Sequence, residues 1–241
     1  MAAVGVDAAG FSAVLLTHEH SDHVRGALRF SRRWEVPVYA SHGTLAAVGP
    51  GLRSCAAETL RAGRPTEVGP FVVEPFAVSH DAREPIGFVI EDSLGNRVGM
   101  ASDLGVRTAA AWAALRDLDV LILESNHDLD MLREGPYPWP LKQRIASEVG
   151  HLSNRDAATG LPDLLSERLR TVVLYHLSRT NNRAALAGAE IGEALAKEGS
   201  SAELHVAVQN KPLDWIEVET AESAVSRMTT DPAPVRVGSA H

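Results

Sequence analysis

The stretch Thr17-His18-Glu19-His20-Ser21-Asp22-His23 decides how this chain is read. It follows directly on the apolar run Ala13-Val14-Leu15-Leu16. An aliphatic, β-branched run of that kind reads as a buried strand, so the cluster falls where a strand leaves its sheet. On an extended backbone alternate residues share a face. His18 and His20 can therefore point together at one ion, while Asp22 and His23, where the chain turns into a helix, can face a second. Glu19 and Ser21 lie between them, point the other way and take no ligand role. Imidazole and carboxylate suit zinc, manganese or iron alike. A hydrolytic metal site is the leading expectation, and the identity of the metal stays open.

Bulk properties narrow the setting. With 241 residues, 45% hydrophobic and 22% charged, the chain fits one large domain with a substantial core. The domain is expected over 1–220, with a flexible tail over 221–241 where periodicity fades. No apolar stretch is long enough to cross a bilayer, and MAAVGVDAAGF lacks the basic start and apolar core of a signal peptide. Cys55 stands alone, which excludes an intramolecular disulfide and a cysteine-rich zinc site; it reads as a small buried hydrophobe. A cytoplasmic location with no membrane partner is the default. The net charge of −8 argues against broad attraction to nucleic acid. Lys142, Arg144, Arg168, Arg170, Arg179 and Arg183 can form a local positive rim, or simply solvate helix faces.

Short apolar strands alternate with helical patterns along the rest of the chain. Strands are predicted at 36–40, 71–78, 87–91, 97–101, 120–123, 171–175, 204–208 and 215–218. Helices are predicted at 44–48, 108–116, 139–148, 154–167 and 181–197, with Asn154 as a cap. A polar connection spans 49–66, and Gly95-Asn96 reads as a hairpin turn. The class is α/β, with sheets covered by helices. Further ligand candidates also stand at strand ends. His80 follows Phe76-Ala77-Val78-Ser79, Asp103 follows Val98 to Ser102, and His176 follows Val172-Val173-Leu174-Tyr175.

The H-x-H-x-D-H order of His18, His20, Asp22 and His23, with those strand-end residues, resembles the metallo-β-lactamase superfamily. That resemblance implies a four-layer αβ/βα sandwich and a pair of divalent ions, zinc or manganese, with iron also compatible. It implies His18, His20 and His80 on one ion, Asp22, His23 and His176 on the other, and Asp103 bridging. Ser125-Asn126-His127-Asp128, Gly150-His151-Leu152-Ser153-Asn154 and His176-Leu177-Ser178 before Asn181-Asn182 resemble the WalJ/YycJ-type branch. Its members are described as metal-dependent nucleases, including 5′-to-3′ exonucleases on DNA. The implied partner is nucleic acid or another phosphodiester, attacked by a hydroxide between the ions. A small-molecule hydrolase of the superfamily, or an inactive metal-binding remnant, are the alternatives.

Within that reading Asp22 and Asp103 serve catalysis as ligands, and His151 is the candidate proton donor to the leaving oxygen. Ser153 and Asn154 either offer hydrogen bonds to a phosphate or simply cap a helix. His127 either orients a neighbour or starts a helix, with Asp128 as its partner or a cap. Trp139 is expected to pack in its loop rather than stack on a base. Members of the superfamily usually carry a strand pair and an Asp-Ala-Gly-type turn ahead of the histidine motif. Asp7-Ala8-Ala9-Gly10 lies too close to the motif to be that turn, so an N-terminally shortened sandwich is expected.

Overall fold

Alternating side-chain direction along the strands produces two sheets packed face to face, each backed by helices. The structure is a computed structural model describing residues 5–52 and 55–218. The tail expected over 221–241 lies outside the described residues.

The smaller sheet has three parallel strands in the order β1 (Val14–Leu15), β2 (Val38–Ser41), β3 (Ala57–Leu60). Helices α1 (Ser21–Trp34) and α2 (His42–Val48) connect them. On β2, Val38 and Ala40 point outward and are buried with Val24 and Ala27 of α1 and Leu45 of α2. Tyr39 points the other way, toward Leu60, Val73, Ile86 and Phe88 between the sheets.

The larger sheet comprises β4 (Thr66–Val68), β5 (Phe71–Ala77), β6 (Ile86–Glu91), β7 (Arg97–Ala101), β8 (Val120–Glu124), β9 (Thr171–Tyr175) and β10 (Glu203–Val206). Their spatial order is β10-β9-β8-β7-β6-β5-β4. The strands from β4 to β7 pair antiparallel, and those from β7 to β10 pair parallel. The helices after β7 are α3 (Ala109–Ala114), α4 (Leu129–Glu134), α5 (Trp139–Ile145), α6 (Asn154–Gly160) and α7 (Ala184–Lys197). Trp112 of α3, Ala157 of α6 and Ile191 of α7 share a buried cluster with Leu121, Leu123, Val172 and Leu174. Each such fully buried leucine contributes roughly 1.5–3 kcal/mol relative to an exposed one. The layers run helix, sheet, sheet, helix, as the sequence resemblance implied.

Several boundaries differ from expectation for physical reasons. The connection over 49–66 contains β3 and the start of β4; three of the four β3 residues are exposed, so the strand carries no apolar alternation. The helix expected over 154–167 ends at Gly160 and tightens into a 3₁₀ turn, Leu161–Leu164, because Pro162 has no N–H to continue it. Its cap is Ser153, not Asn154: the Ser153 hydroxyl accepts the Asp156 N–H at 3.0 Å. The stretch 215–218 forms no strand, and Trp215 is exposed. The hairpin at Gly95 forms as expected, with φ +80° at the glycine and the Asp92 carboxylate accepting the Leu94 and Asn96 N–H groups.

Topology gathers the loops that matter. Strands β7, β8 and β9 are parallel, and two successive antiparallel pairings, β5 with β6 and β6 with β7, return β5 to their direction. The carboxyl ends of β5, β7, β8 and β9 therefore share one edge, the place where open α/β sheets bind ligands. The Ile86 N–H donates to the Thr17 carbonyl at 3.0 Å and ties the histidine stretch to that edge.

The loops there are interlocked. Gly105 N–H donates to Ser79 O at 2.7 Å, Ser79 Oγ to Glu148 O at 2.6 Å, and Asp81 N–H to Val149 O at 3.1 Å. A Cβ at Gly105 would collide with the Glu148 carbonyl, whereas one on Gly26, on the exposed side of α1, would meet nothing within 4 Å. Gly105→Ala is expected to destabilise the chain by about 1–3 kcal/mol. Gly26→Ala is expected to stabilise it by about 0.5–1 kcal/mol. Urea unfolding of both variants checks this, and a neutral Gly105→Ala would show that these loops are not tightly held.

Candidate metal centre

Each candidate side chain reaches the edge for a local reason. His18 and His20 leave β1 on an extended backbone, and Asp22 and His23 occupy the first turn of α1. His80 follows β5, Asp103 follows β7 and His176 directly follows β9. Asp103 and His176 hold left-handed backbones, φ 59° and 60°. For residues with a Cβ this is a strained conformation, costing of order 1–3 kcal/mol. Both bend the chain sharply as it leaves the sheet.

The seven side chains expected as ligands converge. His20 Nδ1 lies 3.3 Å from His80 Nε2, and His18, His20 and His80 offer ligand atoms within 4.8 Å of one another. A second such group is Asp22, His23 and His176. Asp103 stands between them: its Oδ2 is 3.3 Å from His23 Nε2, and its Oδ1 is 3.6 Å from both His80 Nε2 and His176 Nε2. Two nitrogens bound at 2.0–2.1 Å to a tetrahedral ion sit roughly 3.3 Å apart, so these separations fit a shared cation. Asp22 is the most open member, with its side chain 69% exposed and 3.9 Å from His23.

Electrostatics favours the same reading for His18, His23 and His80. Burial, reinforced by His23, His80 and His20, drives the pKa of His18 down to about 2. It therefore remains a neutral imidazole with an available lone pair. Its Nε2 is buried and has no hydrogen-bond partner among the described residues, while its Nδ1 lies 3.1 Å from the Thr17 hydroxyl. Burial likewise lowers His23 and His80, against the opposing pull of Asp103. His80 Nδ1–H donates to the Gly150 carbonyl at 3.0 Å, which directs its Nε2 lone pair into the cluster. Crowded neutral imidazoles around an orphaned nitrogen are the donor set a divalent cation satisfies.

One residue of the site escaped the sequence reading. Glu124, the last residue of β8, is fully buried. Its Oε1 accepts Nδ1–H from both His151 and His176 at 2.8 Å. Its Oε2 accepts the backbone N–H groups of Leu104 at 2.6 Å and Leu152 at 3.1 Å. Burial alone would push this carboxyl upward, but the two imidazole donors outweigh it and hold it below the ordinary carboxylate range. Burial opposes charge on His176 too, and the Glu124 carboxylate reverses that and raises it. The signal was slight: an acidic residue closing an apolar strand, just ahead of Ser125-Asn126-His127-Asp128.

Other residues fall on one side of the alternatives left open, or depart from expectation. Ser153 and Asn154 are buried and engaged inward, so they have no free polar group for a phosphate. Ser153 caps α6 and donates to Asp156 Oδ2 at 2.6 Å; Asn154 accepts from Ser125 and exchanges hydrogen bonds with Asn182. Asp128 is a cap, accepting the Met131 N–H at 2.8 Å. His127 is buried with Nδ1 unpartnered, and its carbonyl accepts from Asn154. Trp139, expected to pack, is 66% exposed at the start of α5. Half of the expected basic rim is engaged: Lys142 donates to Arg133 O, Arg144 to Asp81 and Arg168 to Asp119.

Comparison with known proteins bears on the fold and the family. The profile of the beta-lactamase superfamily domain matches residues 2–177. Exodeoxyribonuclease YycJ of Bacillus anthracis is 34% identical over 191 residues, 78% of this chain and 72% of its own. Exodeoxyribonuclease WalJ of Streptococcus pneumoniae is 34% identical over 209 residues, 84% of this chain and 75% of its own. Among solved structures, the metallo-β-lactamase fold protein YhfI of Bacillus subtilis matches with a TM-score of 0.63 at 19% identity, covering 84% of this chain and 77% of its own.

The geometry makes Glu124 a testable support. Glu124→Gln replaces one acceptor oxygen with an amide that faces donors, so either the pair of hydrogen bonds from His151 and His176 or the pair from Leu104 and Leu152 is lost. Affinity for zinc or manganese is expected to fall about 10–100-fold with the fold retained. Metal titration by calorimetry measures it, and unchanged affinity would deny Glu124 a role in holding the cluster.

Proposed function

We propose that this chain, a metal-dependent hydrolase that belongs to the beta-lactamase superfamily, is an exonuclease that shortens DNA using two divalent ions, zinc or manganese, with iron compatible. The observation that carries the reading is Asp103, set between two groups of ligand atoms in a chain 34% identical to exodeoxyribonucleases. In this reading His18, His20 and His80 hold one ion, Asp22, His23 and His176 the other, and Asp103 both. Such ions supply Lewis acidity to a phosphodiester and activate water at neutral pH.

The chain's own residues do the rest. Ser102 donates to Asp103 and orients its carboxylate between the groups. Glu124 fixes His176 and His151 with Nδ1 protonated, leaving each Nε2 for the site. His151 can then carry a proton on Nε2 to the departing oxygen, and the Glu124 carboxylate stabilises the imidazolium before that transfer. Thr17, 3.1 Å from His18 Nδ1 and 3.0 Å from His23 Nδ1, sets the orientation of both rings. A DNA substrate accords with the cytoplasmic location expected from the sequence, and no helix among the described residues is long and apolar enough to cross a membrane.

Purified chain, with and without manganese or zinc, would be offered a bis-aryl phosphate ester and end-labelled single- and double-stranded DNA. Metal-dependent turnover of both is expected, with DNA shortened progressively from one end. Ester turnover with DNA left intact would make it a small-molecule hydrolase; bound metal without turnover would make it an inactive binder. Asp103→Ala is expected to lose metal and activity together. His151→Ala is expected to keep its metal and slow about 10²–10⁴-fold; loss of metal from it would overturn the division between ligands and proton donor.

A further inference from the structure

Helix α1 starts at the metal centre with Asp22 and His23 and leaves it carrying Arg25, Arg29, Arg32 and Arg33, all exposed. Steps of three and four residues put Asp22, Arg25, Arg29 and Arg32 in one row on the helix, with Arg33 flanking it. The opposite face buries Val24 and Ala27 against the smaller sheet. Asp22 is the sole acidic residue of the helix. Among the described residues no carboxylate forms an ion pair with these four arginines, whereas Arg97, Arg133, Arg144, Arg155 and Arg168 each have at least one. Arg32 donates one N–H to Gly51 O at 3.0 Å, and Arg33 lies over the Trp34 ring at 5.3 Å. Together with Leu28 the arginines line a shallow concavity of about 500 Å³.

We propose that this row is a track for the phosphodiester backbone of the strand being digested, outside the metal centre; the proposal rests on the nuclease reading above. The helix dipole accounts for Arg32 and Arg33 in the last turn but not for Arg25 and Arg29 in the middle. In a chain of net charge −8, unpaired guanidinium groups in register on one face point to an external polyanion. From Arg25 to Arg33 the helix rises about 12 Å, the length over which one strand of a duplex presents three or four phosphates at roughly 3.4 Å each. The row begins within a turn of the ligand pair Asp22 and His23 and runs away from it. One strand can thus lie in the site and on the helix together, which an acidic protein surface has no reason to do.

Manganese-loaded chain and its Arg25→Gln/Arg29→Gln variant would be compared on a 20-nucleotide single strand and on a bis-aryl phosphate ester, which has no strand to lie on the helix. The variant is expected to raise KM for the 20-mer about tenfold at low salt with kcat maintained, and to change KM for the ester less than twofold. The slope of log affinity against log salt should flatten by about 1.4, two phosphates at roughly 0.7 each. Arg25→Lys/Arg29→Lys should retain most of the wild-type behaviour. An unchanged KM for the 20-mer, or equal losses on 20-mer and ester, would overturn the track while leaving the nuclease reading intact. Loss of polyglutamate binding without loss of DNA binding would overturn it in favour of an acidic protein partner. Wild-type chain that turns over the ester but neither binds nor cuts DNA would overturn the nuclease reading, and the track with it.

Discussion

The buried carboxylate of Glu124 is the constraint on which the site depends. A charge without water is tolerable only when hydrogen bonds replace its hydration, and this one receives four: from Leu104, Leu152, His151 and His176. Those donors come from the loops after β7 and β9 and the loop between α5 and α6. Satisfying one anion therefore fixes three segments at once. It also settles which nitrogen of His151 and His176 carries the proton, so the opposite nitrogens face the cluster ready for chemistry.

Around that anchor the site holds features that are unfavourable in isolation. Four imidazole rings, those of His18, His20, His23 and His80, crowd edge-on or tilted at centroid distances of 4.1–5.0 Å. His18 leaves a buried nitrogen unpartnered, and Asp103 and His176 hold left-handed backbones. Together they form a crowded, preorganised site of the kind a divalent cation would satisfy. The surrounding layers supply the rigidity that holds it: Leu121, Leu123, Val172 and Leu174 bury the strands whose ends carry these groups. The arginine row of α1 extends the same logic outward, since the helix that places His23 also faces a basic stripe to solvent.

Much of this was legible in the sequence because ligand-type residues followed apolar strands. His18, His80, Asp103 and His176 each stand just past such a run, and they come together in space as expected. Glu124 was not legible: within its own segment it looks like an ordinary strand terminus, and its four donors lie 20 to 52 positions away. Ser153 and Asn154 misled for the converse reason. Their residue types suit a phosphate, but Asp156 engages Ser153 within the first turn of α6, and packing brings Ser125 and Asn182 to Asn154. The missed strand β3 lacks alternation because most of it is exposed. The arginine row was hidden by an acidic total, since net charge says nothing about which cations remain unpaired.

The central claim is that strand-end side chains hold a pair of cations about Asp103. Anomalous scattering from crystals of the manganese-loaded chain tests it most directly. Two peaks are expected, one among His18, His20 and His80 and one among Asp22, His23 and His176, with Asp103 between them. Manganese bound elsewhere on the surface, with no peak at this edge of the sheet, would contradict it.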